Sequence, residues 1–151
     1  MAVEVYWWPP SGGNIGHAAI KVDGGSPSGI AYLSAWPGSL LSIFLVGQGD
    51  YHQFDDDVSS EGNRQPQVAR ILKLDETAIK KQISAFQSAK KYSFIAANCA
   101  TQASICLNAG VPGATIKQMF ELASGPIGYI FGTSVINTPW TLFLYAKSLT
   151  I

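Results

Sequence analysis

Charged residues are scarce in this chain. Only 13% of its 151 residues are Asp, Glu, Lys or Arg, and its formal net charge is +0, whereas about 25% of the residues are charged in an average soluble domain. This balance provides no basic surface for nucleic acid or anionic lipid, so we expect no nucleic acid as a partner. Surfaces with little net charge associate readily, which favours a binding partner or an occupied groove.

Long hydrophobic runs are also missing. The nearest candidates for a membrane-spanning helix, residues 40–46 and 125–135, are shorter than the roughly 18 residues required, so buried core is the preferred interpretation. Residues 1–6 have neither the basic region nor the apolar run of a secretory signal, and we expect synthesis in the cytoplasm without a signal peptide. Because Lys147 carries the only charge within residues 125–149, a membrane-active module stays open as an alternative.

Cysteine is almost absent as well. The two cysteines, Cys99 and Cys106, are seven residues apart on one predicted helix, which separates them by roughly 10 Å along its axis. A disulfide requires Cα atoms within about 7 Å, so we predict two free thiols, as expected in a reducing compartment. Two cysteines without a matching set of further ligands also argue against a zinc site, and we predict no metal and no cofactor.

What the chain does contain is an ordered series of strand and helix signals. Strand-forming segments between Pro- and Gly-rich turns predict strands over residues 3–8, 17–22, 30–36 and 67–74. Residues 39–66 form a long excursion that could cover a groove as a lid. Capping residues and apolar spacing predict helices over residues 76–90, 99–109, 116–123 and 138–149. This order predicts a single α+β domain over residues 1–151, with an antiparallel sheet first and helices after it.

Cys99 is the candidate nucleophile. It follows Asn98, a good N-cap residue, so its sulfur would lie at the positive end of a helix, where the pKa of a thiol is lowered. The small side chains of the next turn, among them Ala100 and Ala103, would leave access for a substrate. Cys106 lacks these features and is predicted to be a core residue.

His17 is the candidate general base. It is one of two histidines, and it follows a Gly-rich turn and precedes small apolar residues, a setting in which a histidine needs a polar reason to be present. If His17 meets Cys99 in space, the chain is a cysteine hydrolase or an acyl-transfer enzyme. His52 lies in a polar segment, where a solvated side chain is the ordinary interpretation, and it is the reserve candidate for base or orienting group.

A Cys–His pair usually has a third group on the other imidazole nitrogen, which orients the ring. Ser34, on the predicted strand after that of His17, is the preferred candidate, and Asp50 and Asp55 are its rivals.

Further polar and aromatic residues complete the predicted site. The backbone N–H of Cys99 and the side-chain amide of Asn98 or Asn14 are candidates for holding the oxyanion of an acyl intermediate. Trp36, beside a turn, is a candidate for lining the substrate groove. The acidic run at residues 55–57 lacks the ligand spacing of an EF-hand loop, so a solvated charged loop is preferred over a calcium site.

Three motifs together resemble a known family. Gly-His-Ala-Ala at residues 16–19, Tyr-x-Ser-x-Trp-Pro at residues 32–37 and Asn-Cys-Ala-Thr at residues 98–101 occur in the order of the circularly permuted papain-like hydrolases. These are relatives of NlpC-type peptidases and of lecithin:retinol acyltransferase. The resemblance covers residues 1–149 and implies a permuted papain-like, NlpC-type α+β fold, in which the catalytic-cysteine helix packs on an antiparallel sheet. It implies Cys99 as nucleophile, His17 as base and Ser34 in the orienting position, where many members carry His, Asn, Asp or Gln.

The resemblance also implies a function. Small bacterial domains of this kind often act as toxins delivered by contact-dependent secretion, such as type VI effectors, on peptidoglycan stem peptides or target-cell proteins. This implies a thiol hydrolase of amide bonds, made in the bacterial cytoplasm, secreted into target cells and bound by a cognate immunity protein. The same Cys–His pair would also serve a protein deamidase or a lipid or protein acyltransferase. A non-catalytic interaction or membrane-active module is the alternative from another class.

Overall fold

The computed structural model describes residues 2–12, 16–23, 30–37, 47–92, 98–113 and 138–150. Within these residues, the larger of two sheets has four antiparallel strands: β1 (Ala2–Trp8), β2 (His17–Asp23), β3 (Ala31–Leu33) and β6 (Gln67–Ile71). They lie in the order β3-β2-β1-β6. The smaller sheet has three antiparallel strands in the order β4-β5-β7: β4 (Ala35–Pro37), β5 (Gly47–Tyr51) and β7 (Lys91–Tyr92).

Four helices lie within the described residues: α1 (Phe54–Ser60), α2 (Glu76–Ala89), α3 (Cys99–Ala109) and α4 (Pro139–Ser148). The predicted N-caps of the last three are confirmed, because the side chains of Asp75, Asn98 and Thr138 each accept a hydrogen bond from the backbone N–H three residues later. Each cap satisfies a donor that has no partner inside its helix, which is why the helices begin at these residues.

The main core lies between one face of the larger sheet and helices α2, α3 and α4. Side chains alternate between the two faces of a strand, so every second residue of β1 and β2 points into this core. Its larger buried side chains are Val3, Val5, Ile20, Leu33 and Ile71 from the strands, and Ile79, Ile83, Leu107 and Leu142 from the helices. The opposite face carries a smaller aromatic cluster that α1 covers: Tyr6, Trp8 and Tyr32, with Phe54 and Val58 of the helix.

One prediction about the middle of the chain was wrong. Residues 30–36 are not one strand, because β3 and β4 are separated at Ser34 and belong to different sheets. The excursion over residues 39–66 contains β5 and α1, and its residues 39–46 lie outside the described part of the chain. Because of this break, Ser34 lies at the junction between the larger sheet and the smaller one.

The α+β class with an antiparallel sheet is confirmed, and α3 packs against β2 of that sheet. The permuted papain-like arrangement remains a prediction. The strand predicted over residues 67–74 ends at Ile71, and the helix predicted over residues 116–123 lies outside the described residues. None of the described helices combines the length and apolar character needed to cross a membrane.

Candidate active site

Cys99 is the first residue of α3, as predicted. The helix starts there because the side chain of Asn98 accepts a hydrogen bond from Thr101 N–H at 2.8 Å. Cys99 is partly exposed as a residue, whereas Cys106 on the same helix is buried, and both are free cysteines. The helix N-terminus therefore places the Cys99 thiol at its positive end.

The Cys99 thiol has hydrogen-bonding neighbours of the kind that stabilise a thiolate. Burial by itself would raise the pKa of Cys99, but the adjacent His17 imidazolium and hydrogen bonds from the backbone of Ala18 and Ala100 outweigh burial and lower this pKa. By contrast, burial raises the pKa of the Cys106 thiol, and no opposing contact compensates. Only the first of the two thiols is electrostatically prepared to act as a nucleophile.

His17 opens β2 and is 3% exposed. Gly16 precedes it with a φ of 94°, and a Cβ atom at that position would lie 2.9 Å from the carbonyl oxygen of Trp8. Only glycine accommodates this close entry into the strand. Burial would lower the pKa of His17, but the Cys99 thiolate and the Asp57 carboxylate outweigh it and raise the pKa to about 9.

A continuous hydrogen-bond chain runs from His17 through Ser34 to Asp57. Nε2 of His17 lies 2.7 Å from Oγ of Ser34, and this Oγ lies 2.7 Å from Oδ1 of Asp57. An ionised carboxylate only accepts, so the single hydroxyl proton of Ser34 is donated to Asp57. Ser34 must then accept from His17 Nε2–H. This assigns the proton of the neutral ring to Nε2, and Nδ1 is then the nitrogen that gains a proton when the ring becomes a cation.

Asp57 is the residue that sequence reasoning missed. The run at residues 55–57 is not a solvated loop but the first turn of α1, and within it Asp57 is 0% exposed while its two neighbours are exposed. Oδ2 of Asp57 accepts a hydrogen bond from the Tyr32 hydroxyl, and Oδ1 accepts one from Trp36 Nε1 at 2.8 Å.

The charge of Asp57 is retained in this buried setting. Burial would raise the pKa of the carboxyl, but His17 at 3.6 Å and the donors Tyr32 and Ser34 outweigh burial and lower the pKa. The available signal was helical spacing: residue 57 shares one face with Phe54, Val58 and Glu61, and that face is turned toward the protein.

Trp36 forms one wall of the site. Its indole ring stacks on the His17 imidazole with a centroid distance of 4.3 Å, and its Nε1 also donates to Ser34 Oγ at 3.0 Å. An aromatic face next to a histidine favours the cationic form of the ring. Trp36 therefore contacts His17 and Ser34, and its role in lining a substrate groove stays a prediction.

The remaining predicted residues are placed as follows. Asn98 uses its side-chain oxygen as the cap of α3, and Asn14 lies outside the described residues. Asp50 pairs with Trp36 along β5 but its side chain is exposed, as is that of Asp55, and neither belongs to the hydrogen-bond chain. His52 also stacks on Trp36, at 5.1 Å between ring centroids. The described residues contain no group of three His, Cys, Asp or Glu side chains that could hold a metal ion.

Comparison with known proteins adds no assignment. No protein-family model, no curated protein and no solved structure matches this chain. The case for its function therefore depends on the site itself.

Proposed function

We propose that this protein is a cysteine hydrolase of amide bonds that uses Cys99 as nucleophile and His17 as general base and acid. The observation that supports this most directly is the chain of buried contacts joining Cys99, His17, Ser34 and Asp57. A structural cysteine has no need of a lowered pKa or of an imidazole held by a buried carboxylate. Perturbed titratable groups concentrated at one place are typical of active sites.

The proposed reaction begins with a thiolate and an imidazolium. The Cys99 thiolate attacks the substrate carbonyl carbon, a C–S bond forms, and the carbonyl electrons move to the oxygen. When this intermediate collapses, the C–N bond breaks and His17 gives its proton to the departing nitrogen. Water then attacks the thioester while His17 takes a proton from it, and the C–S bond breaks to restore the Cys99 thiolate.

Two parts of the site would assist these steps. Ser34 and Asp57 hold the His17 ring in one orientation and stabilise its positive charge, so Ser34 is a relay and Asp57 the anionic end of the chain. The backbone N–H of Cys99, at the start of α3, is a candidate donor to the oxyanion because the first N–H groups of a helix have no partner within it.

Substrate and biological role are proposed from the family resemblance. On that basis the substrates are peptidoglycan stem peptides or a target-cell protein, and the protein is an antibacterial effector bound by a cognate immunity protein. It would be synthesised in the bacterial cytoplasm and secreted into target cells. The contacts of Cys99 and His17 would serve deamidation or acyl transfer equally, because the pocket and the acceptor decide between these reactions.

The first test is the pH dependence of iodoacetamide labelling at Cys99, read by mass spectrometry. We expect the wild type to be labelled with an apparent pKa below the ordinary thiol value of 9.0, and the His17→Ala variant to lose this shift. The Cys99→Ala variant is the matched control, because it retains only the buried Cys106 and should stay unlabelled in the folded state.

The same variants separate the alternatives. Wild-type protein that is inert to iodoacetamide, or whose profile is identical in His17→Ala, would contradict the Cys–His pair. If wild type and Cys99→Ala are equally toxic when expressed in target cells, the toxicity is not enzymatic, as expected of a binding or membrane-active module. If only the wild type is toxic, peptidoglycan fragments are the first substrates to test.

A further inference from the structure

His52 lies beside the proposed active site. The imidazoles of His17 and His52 both stack on the Trp36 indole, with interplanar angles of 28° and 22°. The backbone N–H of His52 donates to the carbonyl oxygen of Ser34 at 3.1 Å, which holds the His52 backbone next to the hydrogen-bond chain. His52 therefore contacts Trp36 and Ser34, which are two of the residues that contact His17.

The Nδ1 atom of His52 is in an unusual position. It is buried and has no hydrogen-bond partner among the described residues, and it lies 3.8 Å from Oδ1 of Asp57. That carboxylate oxygen already accepts hydrogen bonds from Ser34 and Trp36, and it also lies 3.6 Å from His17 Nε2. A buried polar atom without a partner is costly, so the arrangement needs an explanation.

We propose that His52 is a positioning residue whose protonation weakens the hold of Asp57 on Ser34 and His17. This inference rests on the proposed function. With protons on both ring nitrogens His52 is a cation, and its Nδ1–H becomes a third donor to Oδ1, which already accepts two hydrogen bonds. To form that ion pair His52 must approach the carboxylate and compete with Ser34, which connects Asp57 to the base. The proposed enzyme would be slowed by acid through this competition.

The charged surroundings allow this competition. Asp57 of α1 is the acidic group that faces His52, and the titratable groups across the Trp36 ring are His17 of β2 and its partner Cys99 of α3. The His52 side chain is 32% exposed although its Nδ1 is buried, whereas Asp57 is fully buried. Solvent therefore reaches other atoms of the His52 side chain, and the test compares pH about 5 with pH about 8, the range over which histidine side chains in general change charge.

The test uses variants that keep a side chain of similar size but cannot titrate. His52→Phe retains a ring to stack on Trp36, and His52→Gln retains a polar side chain in case the first variant folds poorly. We expect alkylation of Cys99 at pH about 5 to be roughly tenfold slower in the wild type than in either variant, and equal in all three at pH about 8. Tenfold corresponds to about 1.4 kcal/mol, at the low end for a hydrogen bond to a charged group.

A second measurement is independent of catalysis. The indole N–H of Trp36 donates to Asp57 and Ser34, so its signal in a proton–nitrogen NMR spectrum reports directly on this cluster. We expect the signal to move between pH about 5 and 8 in the wild type and to stay nearly constant in both variants.

The two measurements separate failure of this proposal from failure of the proposed function. If the indole signal follows pH identically in wild type and variants, or if the variants react more slowly by the same factor at every pH, the regulatory role of His52 is refuted. If Cys99 is inert in all three proteins while the indole signal behaves as expected, the hydrolase proposal fails and the coupling of His52 to Asp57 stands.

Discussion

Replacing Asp57 by Asn tests the electrostatic basis of the proposed mechanism. The substitution retains an oxygen that can accept from Ser34 but removes the negative charge 3.6 Å from His17 Nε2. At an effective dielectric constant of about 20, two unit charges at that distance interact by about 4–5 kcal/mol. An interaction of this size would change the pKa of His17 by at most about three units. We therefore expect the pKa of His17 to fall from about 9, because burial, which lowers it, is then opposed by the Cys99 thiolate but no longer by the Asp57 carboxylate.

The consequence for Cys99 follows from the same charges. The thiolate is stabilised by the His17 imidazolium, so loss of the imidazolium raises the pKa of the thiol and reduces the thiolate fraction near neutral pH. We expect the alkylation rate of Cys99 at pH about 7 to fall roughly ten- to hundredfold, which corresponds to one to two pKa units. The assay is the iodoacetamide titration described above, with pH as the variable.

Asp55→Asn is the matched control. It makes the same chemical change two residues away, on an exposed side chain of the same helix, and its pH profile should coincide with that of the wild type. If Asp57→Asn also retains the wild-type profile in a folded protein, the charge of Asp57 is not felt at Cys99. The proposed chain through Ser34 and His17 would then be wrong.

Three further predictions concern stability. The pKa of His17 is raised in the folded chain from 6.5 to about 9, so the stabilisation that protonated His17 contributes is fully present below pH 6.5 and is lost as pH rises through about 9. The difference in Tm between wild type and His17→Gln should therefore shrink over that range. A difference in Tm that stays constant would contradict this. Tyr32→Phe removes a hydrogen-bond donor to the buried Asp57 carboxylate, and it should lower the free energy of unfolding by about 1–3 kcal/mol in urea denaturation. Gly110→Ala would bring a Cβ atom to 2.4 Å from Cδ1 of Ile79 and 3.0 Å from the carbonyl oxygen of Asp75, so we expect a loss of about 1–3 kcal/mol from overpacking. An unchanged urea midpoint in either variant would show that the site relaxes without cost.

Short-range features of the chain were predictable because their causes lie within a few residues. An N-cap involves a side chain and an N–H three residues later, and Asp75, Asn98 and Thr138 all behave as their local sequence indicates. The position of Cys99 at a helix start follows from the cap alone, and Cys106 follows from the apolar face it shares with Leu107. The α+β class follows in the same way from the order of strand and helix signals.

Which distant segments of the chain meet at the candidate site was decided by the tertiary structure. Ser34 and Asp57 are 23 residues apart, and their hydrogen bond forms only because β3 ends just before Ser34 and α1 packs across that face of the sheet. Helical spacing separates Asp57 from Asp55 only once α1 is recognised as a helix, and packing against Tyr32 and Trp36 is what buries Asp57. The sequence by itself determined where the three helices capped by Asp75, Asn98 and Thr138 begin and which cysteine lies at a helix N-terminus, because those depend on neighbours along the chain. The partner of each buried polar side chain was decided by the packing of distant segments, because burial and charge pairing depend on distances in space.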